Sequence, residues 1–361
     1  MEKPGNNAGP IARVIKIDYL RRQVIIQRSK AEARTHDVSQ AIWECLHTFY
    51  PIAEFLAPIE VIGLAKLHRN FKLDKRMKKW LIVQFEKNIN DLMKTKGHPM
   101  LGQLMSNIPK PWPFVISGSI VLQALLSEKW ESYDIDVYGN RDNLNELEMI
   151  LRNSCYVSLY NPDLEDQYIQ LAATNSIKKI LDWHNCLRTK SNNFMDPCSL
   201  QIIELSDHIE NSTDCVNSFD LSVVKSTWNG ESIFINDYES LLSRTAVISE
   251  HIEFIIDAMG NGCGSFAGAF DRLHELQKKG MLSIKYDRMN LNSSHAAVVS
   301  LFERIFSRFL KYSSRGFVIH SIKRNWKIRD IKTILDRLRR SPTTKKKWAL
   351  LKQIQKHSEQ T

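Results

Sequence analysis

Two aspartates, Asp134 and Asp136, stand two residues apart in YDIDVYG, a stretch that otherwise has the composition of a buried β-strand. Residues i and i+2 of a strand project from the same face, so both carboxylates point one way while Ile135 and Val137 enter the core. Like charges at this separation disfavour ionisation unless a cation lies between them. Mg²⁺ (or Mn²⁺) suits the pair, because Mg²⁺ prefers carboxylate oxygens and completes its shell with water and substrate phosphates. The spacing therefore predicts a divalent metal site.

A glycine–serine turn precedes the aspartates, at Gly118 and Ser119, where the apolar run PFVIS ends. Glycine lets the backbone approach a phosphate closely. The helix predicted next, SIVLQALLSEKW, presents free N–H groups and the positive end of its dipole at its start. This turn therefore predicts a phosphate-binding loop that faces the carboxylates.

The order of these features (Gly-Ser, a helix, then Asp-x-Asp on the next strand) resembles the signature of the nucleotidyltransferase superfamily of the DNA polymerase beta type. The resemblance implies a third carboxylate with apolar neighbours on a later strand, and Asp220 in SFDLSVV matches that position. The segments SLQIIEL, SFDLSVV and WNGESIFI, with LKYSSRGFVI further on, are similar to superfamily members from phages and large DNA viruses. The interval from the turn to the first aspartate is slightly longer than usual, and Tyr133 stands where serine is common, with Ser132 one position earlier.

The resemblance implies two-metal transfer of a nucleotidyl group from a nucleoside triphosphate to a hydroxyl acceptor. Asp134, Asp136 and Asp220 would hold the metals, and Asp220 would also help to deprotonate the acceptor. Gly118 and Ser119 would bind the β- and γ-phosphates. Residue type alone adds three cations to the nucleotide-binding set: Lys225, Lys311 and Arg315. The alternative is a catalytically inactive nucleotidyltransferase fold that serves as a binding protein.

The pattern of elements predicts a mixed α+β fold. The resemblance implies that it contains a small nucleotidyltransferase-like sheet flanked by helices. PFVIS, YDIDVYG and SLQIIEL are predicted strands, NRDNLNELEMILRN is a predicted helix opening at Asn140, and FDLSVVKSTWNGESIFI is a predicted strand pair turned at Asn229-Gly230. Four segments follow: a partly disordered 1–40, a helical module 41–105, the nucleotidyltransferase-like domain 106–245, and a mainly helical region 246–361 with a basic tail.

Within the helical module, FYPIAEFLAPIEVIGLAKLHRNF resembles an F-box-like motif. The resemblance implies that residues 48–75 dock onto a ubiquitin-ligase adaptor. An inactive nucleotidyltransferase fold would then act as a binding protein that works with the ligase. A generic helical hairpin would use the same apolar positions. The positions that carry the resemblance are Ile52, Phe55, Leu56, Pro58, Glu60, Ile62, Leu64, Ala65, Leu67 and Phe71.

The net charge of +10 is concentrated in residues 308–361, which carry sixteen Lys and Arg against three acidic residues. Trp326 and Trp348 lie among these cations, so the tail is predicted to contact nucleic acid by phosphate neutralisation and base stacking. Apolar residues recur there at helical spacing, so an amphipathic helix with a solvated face is the alternative.

Gly262, Gly264, Ala267 and Asp287 outline a dinucleotide-binding fingerprint, for which the alternative is a glycine-rich loop between helices. The six cysteines form no CxxC pair, which favours reduced thiols. The start of the chain lacks the pattern of a secretory signal, and its apolar stretches are too short to span a bilayer. We therefore expect an intracellular protein, cytoplasmic or nuclear (in the host cell if it is viral), without a membrane partner.

Overall fold

The computed structural model describes residues 56–67, 75–131, 134–160, 177–185, 199–207, 209–250, 252, 253, 256, 291–321 and 336. The chain divides into two compact units, Met1–Leu56 and Ala57–Thr361, and the elements below belong to the second. The dinucleotide fingerprint and most of the basic tail lie outside the described residues. No helix within the described part is long and apolar enough to cross a membrane.

A seven-stranded sheet forms the centre of the second unit, in the order β3-β4-β5-β2-β1-β6-β7. Its neighbours are antiparallel except for β2 and β5, which run parallel. The strands are β1 (Val115–Ser117), β2 (Ile135–Gly139), β3 (Tyr156–Tyr160), β4 (Ile177–Asn185), β5 (Leu200–Leu205), β6 (Thr227–Trp228) and β7 (Ile233–Phe234). Two further strands, β8 (Thr245–Val247) and β9 (Val318–His320), pair in parallel as a small separate sheet.

Eight helices are described around these sheets, and together with the strands they confirm the predicted mixed α+β class. They are α1 (Pro58–Leu67), α2 (Lys75–Thr95), α3 (Leu101–Met105), α4 (Ser119–Leu126), α5 (Arg141–Arg152), α6 (Ser212–Asn217), α7 (Tyr238–Ser243) and α8 (Leu291–Ser314). The predicted strands PFVIS, YDIDVYG and SLQIIEL correspond to β1, β2 and β5. Helix α5 begins after Asn140, as predicted, although the Asn140 side chain makes no capping hydrogen bond.

The two faces of the large sheet differ in what covers them. On one face, Ile135, Val137 and Trp183 are fully buried in the main core, to which the helices also contribute. On the other face, Tyr138 and Ile203 pack in a second, smaller cluster with apolar residues of α6. Strand alternation puts Asp136 on the same face as Tyr138, just beyond this cluster. Asp136 is therefore carried by a strand whose opposite face is packed in the main core.

Helix α4 is shorter than the predicted SIVLQALLSEKW, which was expected to continue to Trp130. It ends at Leu126 because Ser127 adopts a left-handed conformation (φ 53°). The N–H of Glu128 then donates to the carbonyl of Gln123 at 3.0 Å, and the Gln123 side chain accepts from the N–H of Trp130 at 2.6 Å. These bonds replace further helical turns and bring Trp130 back towards the helix.

The prediction that SFDLSVV forms a strand is wrong. Leu221 makes only an isolated bridge to Ile248, and Ser222–Val224 is a short 3-10 helix. The Ser117 hydroxyl donates to the carbonyl of Ser226 at 2.8 Å. This carbonyl, just before β6, is therefore satisfied by a side chain and not by the backbone of a paired strand. The predicted turn at Asn229-Gly230 is confirmed between the short strands β6 and β7, and Gly230 has the positive φ (88°) that such a turn favours.

The described part of the F-box-like segment is α1, which packs into the main core. Ile59 and Val61 are buried, and a Cβ on Gly63 would lie 2.7 Å from Leu242 of α7. Residues 48–55 and 68–74 lie outside the described residues, so adaptor binding stays a prediction.

Candidate functional site

A row of polar residues crosses four neighbouring strands of the large sheet. Ser117 of β1 pairs with Asp136 of β2, Asp136 with Gln201 of β5, and Gln201 with Asp182 of β4. Paired residues of adjacent strands project from the same face, so the register alone aligns these side chains. Asp134 immediately precedes β2. This row, with Asp134 and His184, forms the polar face of the sheet that we call the site face; Asp134, Asp136 and His184 are partly exposed in it, and the other members are buried.

Gly118 links β1 to α4 in a conformation (φ 79°, ψ −148°) that is essentially confined to glycine. A Cβ at this position would also lie 2.9 Å from Oδ2 of Asp136. The turn is therefore packed directly against one of the two predicted metal-binding carboxylates. Ser119 begins α4 and is buried, so the start of the helix, with its unpaired N–H groups, directly follows the turn beside Asp136.

Burial raises the pKa of Asp134 above its usual value. The positive charge of Lys311 opposes this shift, the negative charge of Asp182 adds to it, and a hydrogen bond from the Ser199 side chain again favours the charged form. Any further positive charge placed beside Asp134 would stabilise its carboxylate.

Cations reach the site face from the end of α8. A Schellman motif ends this helix: the N–H of Gly316 (φ 84°) donates to the carbonyl of Ser313 at 3.0 Å, and that of Phe317 to the carbonyl of Tyr312 at 3.1 Å. The cap fixes Arg315, whose guanidinium lies 4.1 Å from the ring centroid of Trp130 and 5.1 Å from that of Tyr312. The sequence KYSSRGF thus encodes the end of the helix and the direction of Arg315 together.

Lys311 is half-buried at the same end of α8. Desolvation lowers the pKa of its ammonium group, as do the positive charges of Arg315 and Arg308, while Asp134 and Asp136 oppose the shift. Burial likewise lowers the pKa of Arg315. These side chains are therefore not on a solvated helix face: they lie within electrostatic range of the predicted metal-binding pair, at a point where extra negative charge would be stabilised.

Asp220 is only 2% exposed and is engaged by Arg308 of α8. Nε of Arg308 donates to Oδ2 at 2.5 Å and Nη2 donates to Oδ1 at 3.0 Å, which is a bidentate pair. Burial lowers the pKa of nearby Lys225, and the charge of Asp220 partly offsets this shift. Asp220 thus lies beside the cations, with both of its oxygens hydrogen-bonded to one of them.

The structure brings the predicted residues together around α8 but does not gather the three carboxylates into one group. Among the described residues, no three carboxylate, imidazole or thiol groups are placed to hold a metal ion. Mg²⁺ at a nucleotide site needs only one or two carboxylates, since phosphates and water supply its other ligands. Asp134 and Asp136 provide that number beside the glycine turn, so this donor set fits a Mg²⁺–triphosphate complex.

The sequence analysis gave no role at this site to four residues of the site face or its surroundings: Arg308, Asp182, His184 and Gln201. Asp182 and Gln201 meet Asp136 only through strand register. Nε2 of His184 lies 3.3 Å from Oδ2 of Asp182. The one local signal was the spacing of Asp182 and His184, because residues two apart in a strand project from the same face. It could have predicted that these two side chains interact.

Comparison with protein-family models gives no match, and comparison with curated proteins gives none. Among solved structures, the chain is similar to a CCA-adding enzyme in apo form I (TM-score 0.34, 11% identity, 70% of this chain and 59% of that chain). It is also similar to a CCA-adding enzyme with CTP (TM-score 0.34, 11% identity, 70% of this chain and 57% of that chain). A third similar structure is a tRNA-processing enzyme with CTP (TM-score 0.31, 11% identity, 66% of this chain and 62% of that chain). The chain spans less than two thirds of each of these structures, and a likeness at such TM-scores carries no argument about function.

Proposed function

We propose that the chain transfers a nucleotidyl group from a nucleoside triphosphate to a hydroxyl acceptor. The single observation that carries the proposal is the contact of Gly118 with Asp136, in which a glycine turn at a helix start abuts one carboxylate of an Asp-x-Asp pair. A helix N-terminus suits phosphate, and paired carboxylates suit the metal that accompanies a triphosphate.

The cations at the end of α8 support the same proposal. Lys311 and Arg315 lie within electrostatic range of Asp134, and both lose part of their hydration. A triphosphate bound between them and the glycine turn would restore counter-charge to these groups. Lys225 would add to this binding from the Asp220 side. The half-buried setting strengthens each such contact, because charges interact more strongly where water is displaced.

In the proposed reaction, the acceptor oxygen forms a bond to the α-phosphorus, the bond from that phosphorus to the bridging oxygen breaks, and pyrophosphate leaves. Mg²⁺ held by Asp134 and Asp136 would supply Lewis-acid stabilisation of charge on the phosphates. The helix start and the α8 cations bind and orient the triphosphate. Asp220 as a third metal ligand remains a prediction, with Arg308 as its competitor for both oxygens.

The proposal is tested by incubating the full chain with labelled nucleoside triphosphates, Mg²⁺ or Mn²⁺, and RNA or protein acceptors. We expect labelled product and pyrophosphate, with Asp134→Asn and Asp136→Asn each reducing transfer by about a thousandfold, as loss of a metal-binding carboxylate does. Asp142→Asn, at an exposed position in the first turn of α5, is the matched control and should transfer at the wild-type rate.

Transfer that survives both substitutions would contradict the proposal. Saturable binding of Mg²⁺–triphosphate without any transfer would contradict it as well, and would favour the inactive binding fold.

A further inference from the structure

The residue expected to deprotonate the acceptor is poorly placed to do so. Both oxygens of Asp220 accept hydrogen bonds from Arg308, and the carboxylate is almost completely buried. A base must reach the proton that it abstracts, directly or through one water. A different group on the site face is therefore needed for this task.

His184 is such a group. Its side chain is 24% exposed, while that of Asp182, which holds it, is 11% exposed. Nε2 of His184 lies 3.3 Å from Oδ2 of Asp182, so with Nε2 protonated the ring donates to the carboxylate and leaves Nδ1 as an acceptor. A partly exposed imidazole oriented by a shielded carboxylate has the arrangement of a general base with its orienting partner.

The strand register puts this pair beside the metal-binding carboxylates. Asp182 is paired with Gln201, and Gln201 with Asp136. Neighbouring strands lie about 4.8 Å apart, so β4 runs roughly 10 Å from β2. The imidazole and the metal-binding carboxylates therefore lie on the same face of the sheet, two strands apart.

The surroundings of Asp182 favour a positive imidazole. Its other oxygen, Oδ1, is buried and has no hydrogen-bond partner in the described structure, and the same holds for Oε1 of Gln201. His184 is the single cationic partner of Asp182 among the described ion pairs. The hydrogen bond to Asp182 raises the pKa of His184 above its usual value, against the effect of burial. Within the described part of the chain no other cation is paired with Asp182, so its charge stabilises the imidazolium.

We propose that His184 is the general base that takes the proton of the acceptor hydroxyl, and that Asp182 is the residue that positions it. The inference rests on the proposed function. The proton moves from the acceptor oxygen to Nδ1 of His184 while that oxygen bonds to the α-phosphorus. The imidazolium later returns the proton to solvent, so His184 is unchanged over the cycle.

The charges that act on His184 are few within the described elements. Its own strand contributes Asp182, the β5 side contributes the neutral Gln201 and Ser199, and β3 places Val157 opposite it. Asp134 acts on Asp182 in turn. The rate of transfer should therefore fall on acidification as His184 becomes protonated, and Asp182 should set the pH at which this occurs.

The experiment measures pyrophosphate release by the full chain from Mg²⁺–triphosphate with the RNA or protein acceptor, from pH 5 to pH 9. His184→Gln should lower kcat about a hundredfold, remove this acid limb, and leave KM for the triphosphate within about twofold. Asp182→Asn should retain the limb but move it to lower pH, because the imidazolium loses its counter-charge. His320→Gln, at an exposed residue of β9, is the control and should match the wild type.

A second readout needs no turnover: the NMR titration of the His184 ring should shift to lower pH in Asp182→Asn. The inference is overturned if His184→Gln keeps the wild-type rate and acid limb, or if the ring titrates identically in both proteins. Those results would leave the proposed function standing as long as Asp134→Asn abolishes transfer. An absence of transfer by the wild type would overturn the proposed function, and this inference with it.

Discussion

Two clusters of different character, which we call the cationic side and the imidazole side, act on Asp134. The cationic side consists of Arg308, Lys311 and Arg315, which α8 brings in from outside the sheet. The imidazole side consists of Asp182, His184 and Gln201, which belong to the sheet and are aligned by register. The charged groups of the first side are cations, whereas on the second side two acceptors, Oδ1 of Asp182 and Oε1 of Gln201, have no hydrogen-bond partner in the described structure. In the proposed reaction, the triphosphate therefore binds on the cationic side, and the acceptor proton moves to the imidazole side.

The largest expected effect comes from removing the ion pair that anchors the cationic side. Arg308→Met leaves Asp220 buried without its partner, so the free energy of unfolding should fall by about 3 kcal/mol. Urea denaturation measures this loss. The double variant Arg308→Met, Asp220→Asn should recover part of it, since no uncompensated charge remains. If the two sides are independent, the NMR titration of His184 stays as in the wild type; a shifted titration would mean that the sides are coupled.

A smaller effect is expected where the two sides meet. Gly118→Ala forces a side chain into a glycine-only conformation and to within 2.9 Å of Asp136, so triphosphate affinity should fall about a hundredfold. Gly230→Ala is the matched control: its φ is also positive, and the added Cβ would lie 2.6 Å from Trp112 rather than near a carboxylate. It should lower stability by about 2 kcal/mol and leave affinity within a few-fold. Equal losses of affinity in both variants, measured by calorimetry, would show that the contact with Asp136 is unimportant.

Removing one charge from the cationic side should have a smaller effect again. Lys311→Met removes the charge but keeps an unbranched side chain only one atom shorter, and it should weaken triphosphate binding by about tenfold, the usual worth of one charge-assisted contact. The rate at saturating triphosphate should change much less, and the acid limb assigned to His184 should not move. Calorimetric titration with a non-hydrolysable triphosphate gives the affinity. A fall in kcat without a change in affinity would contradict the assignment of Lys311 to binding.

The smallest effect concerns stability on the imidazole side. The pKa of His184 is raised in the folded chain, so its pairing with Asp182 stabilises the fold fully below the unfolded value of about 6.5 and progressively less as pH rises through the folded value. His184→Gln should therefore cost a few tenths of a kcal/mol more at pH 5.5 than at pH 9. Urea denaturation of both proteins at the two pH values tests the sign, and a larger loss at pH 9 would refute it.

Local patterns were sufficient to predict the parts of the fold that are continuous in sequence. The strand, glycine turn, helix and Asp-x-Asp strand around Gly118 follow from alternation and from the properties of glycine, as does the hairpin at Asn229-Gly230. The end of α4 and the segment after Asp220 could not be predicted in this way. There, the side chains of Gln123 and Ser117 take up backbone groups that a helix or a strand would otherwise use.

The candidate site was predictable only where its residues lie close together in sequence. Lys311 and Arg315 were predicted from residue type alone, and the structure shows that the cap at Gly316 orients the end of α8 that carries them. Arg308 is 88 residues from Asp220, and nothing in an amphipathic helix marks which cation will turn inwards. Asp182 meets Asp134 across a strand that comes later in the chain, so its role depends on pairing that no local pattern specifies.

Strand β9 begins only four residues after α8 ends, and it pairs with β8 directly beyond the Schellman cap. A shift of α8 by one turn along its axis would break that pairing, because the connection is too short to absorb the movement. The Arg315 guanidinium and the Lys311 ammonium group are thus held in place by the fold itself. An incoming polyanion would meet a preorganised electric field and would need little rearrangement of the protein to be neutralised.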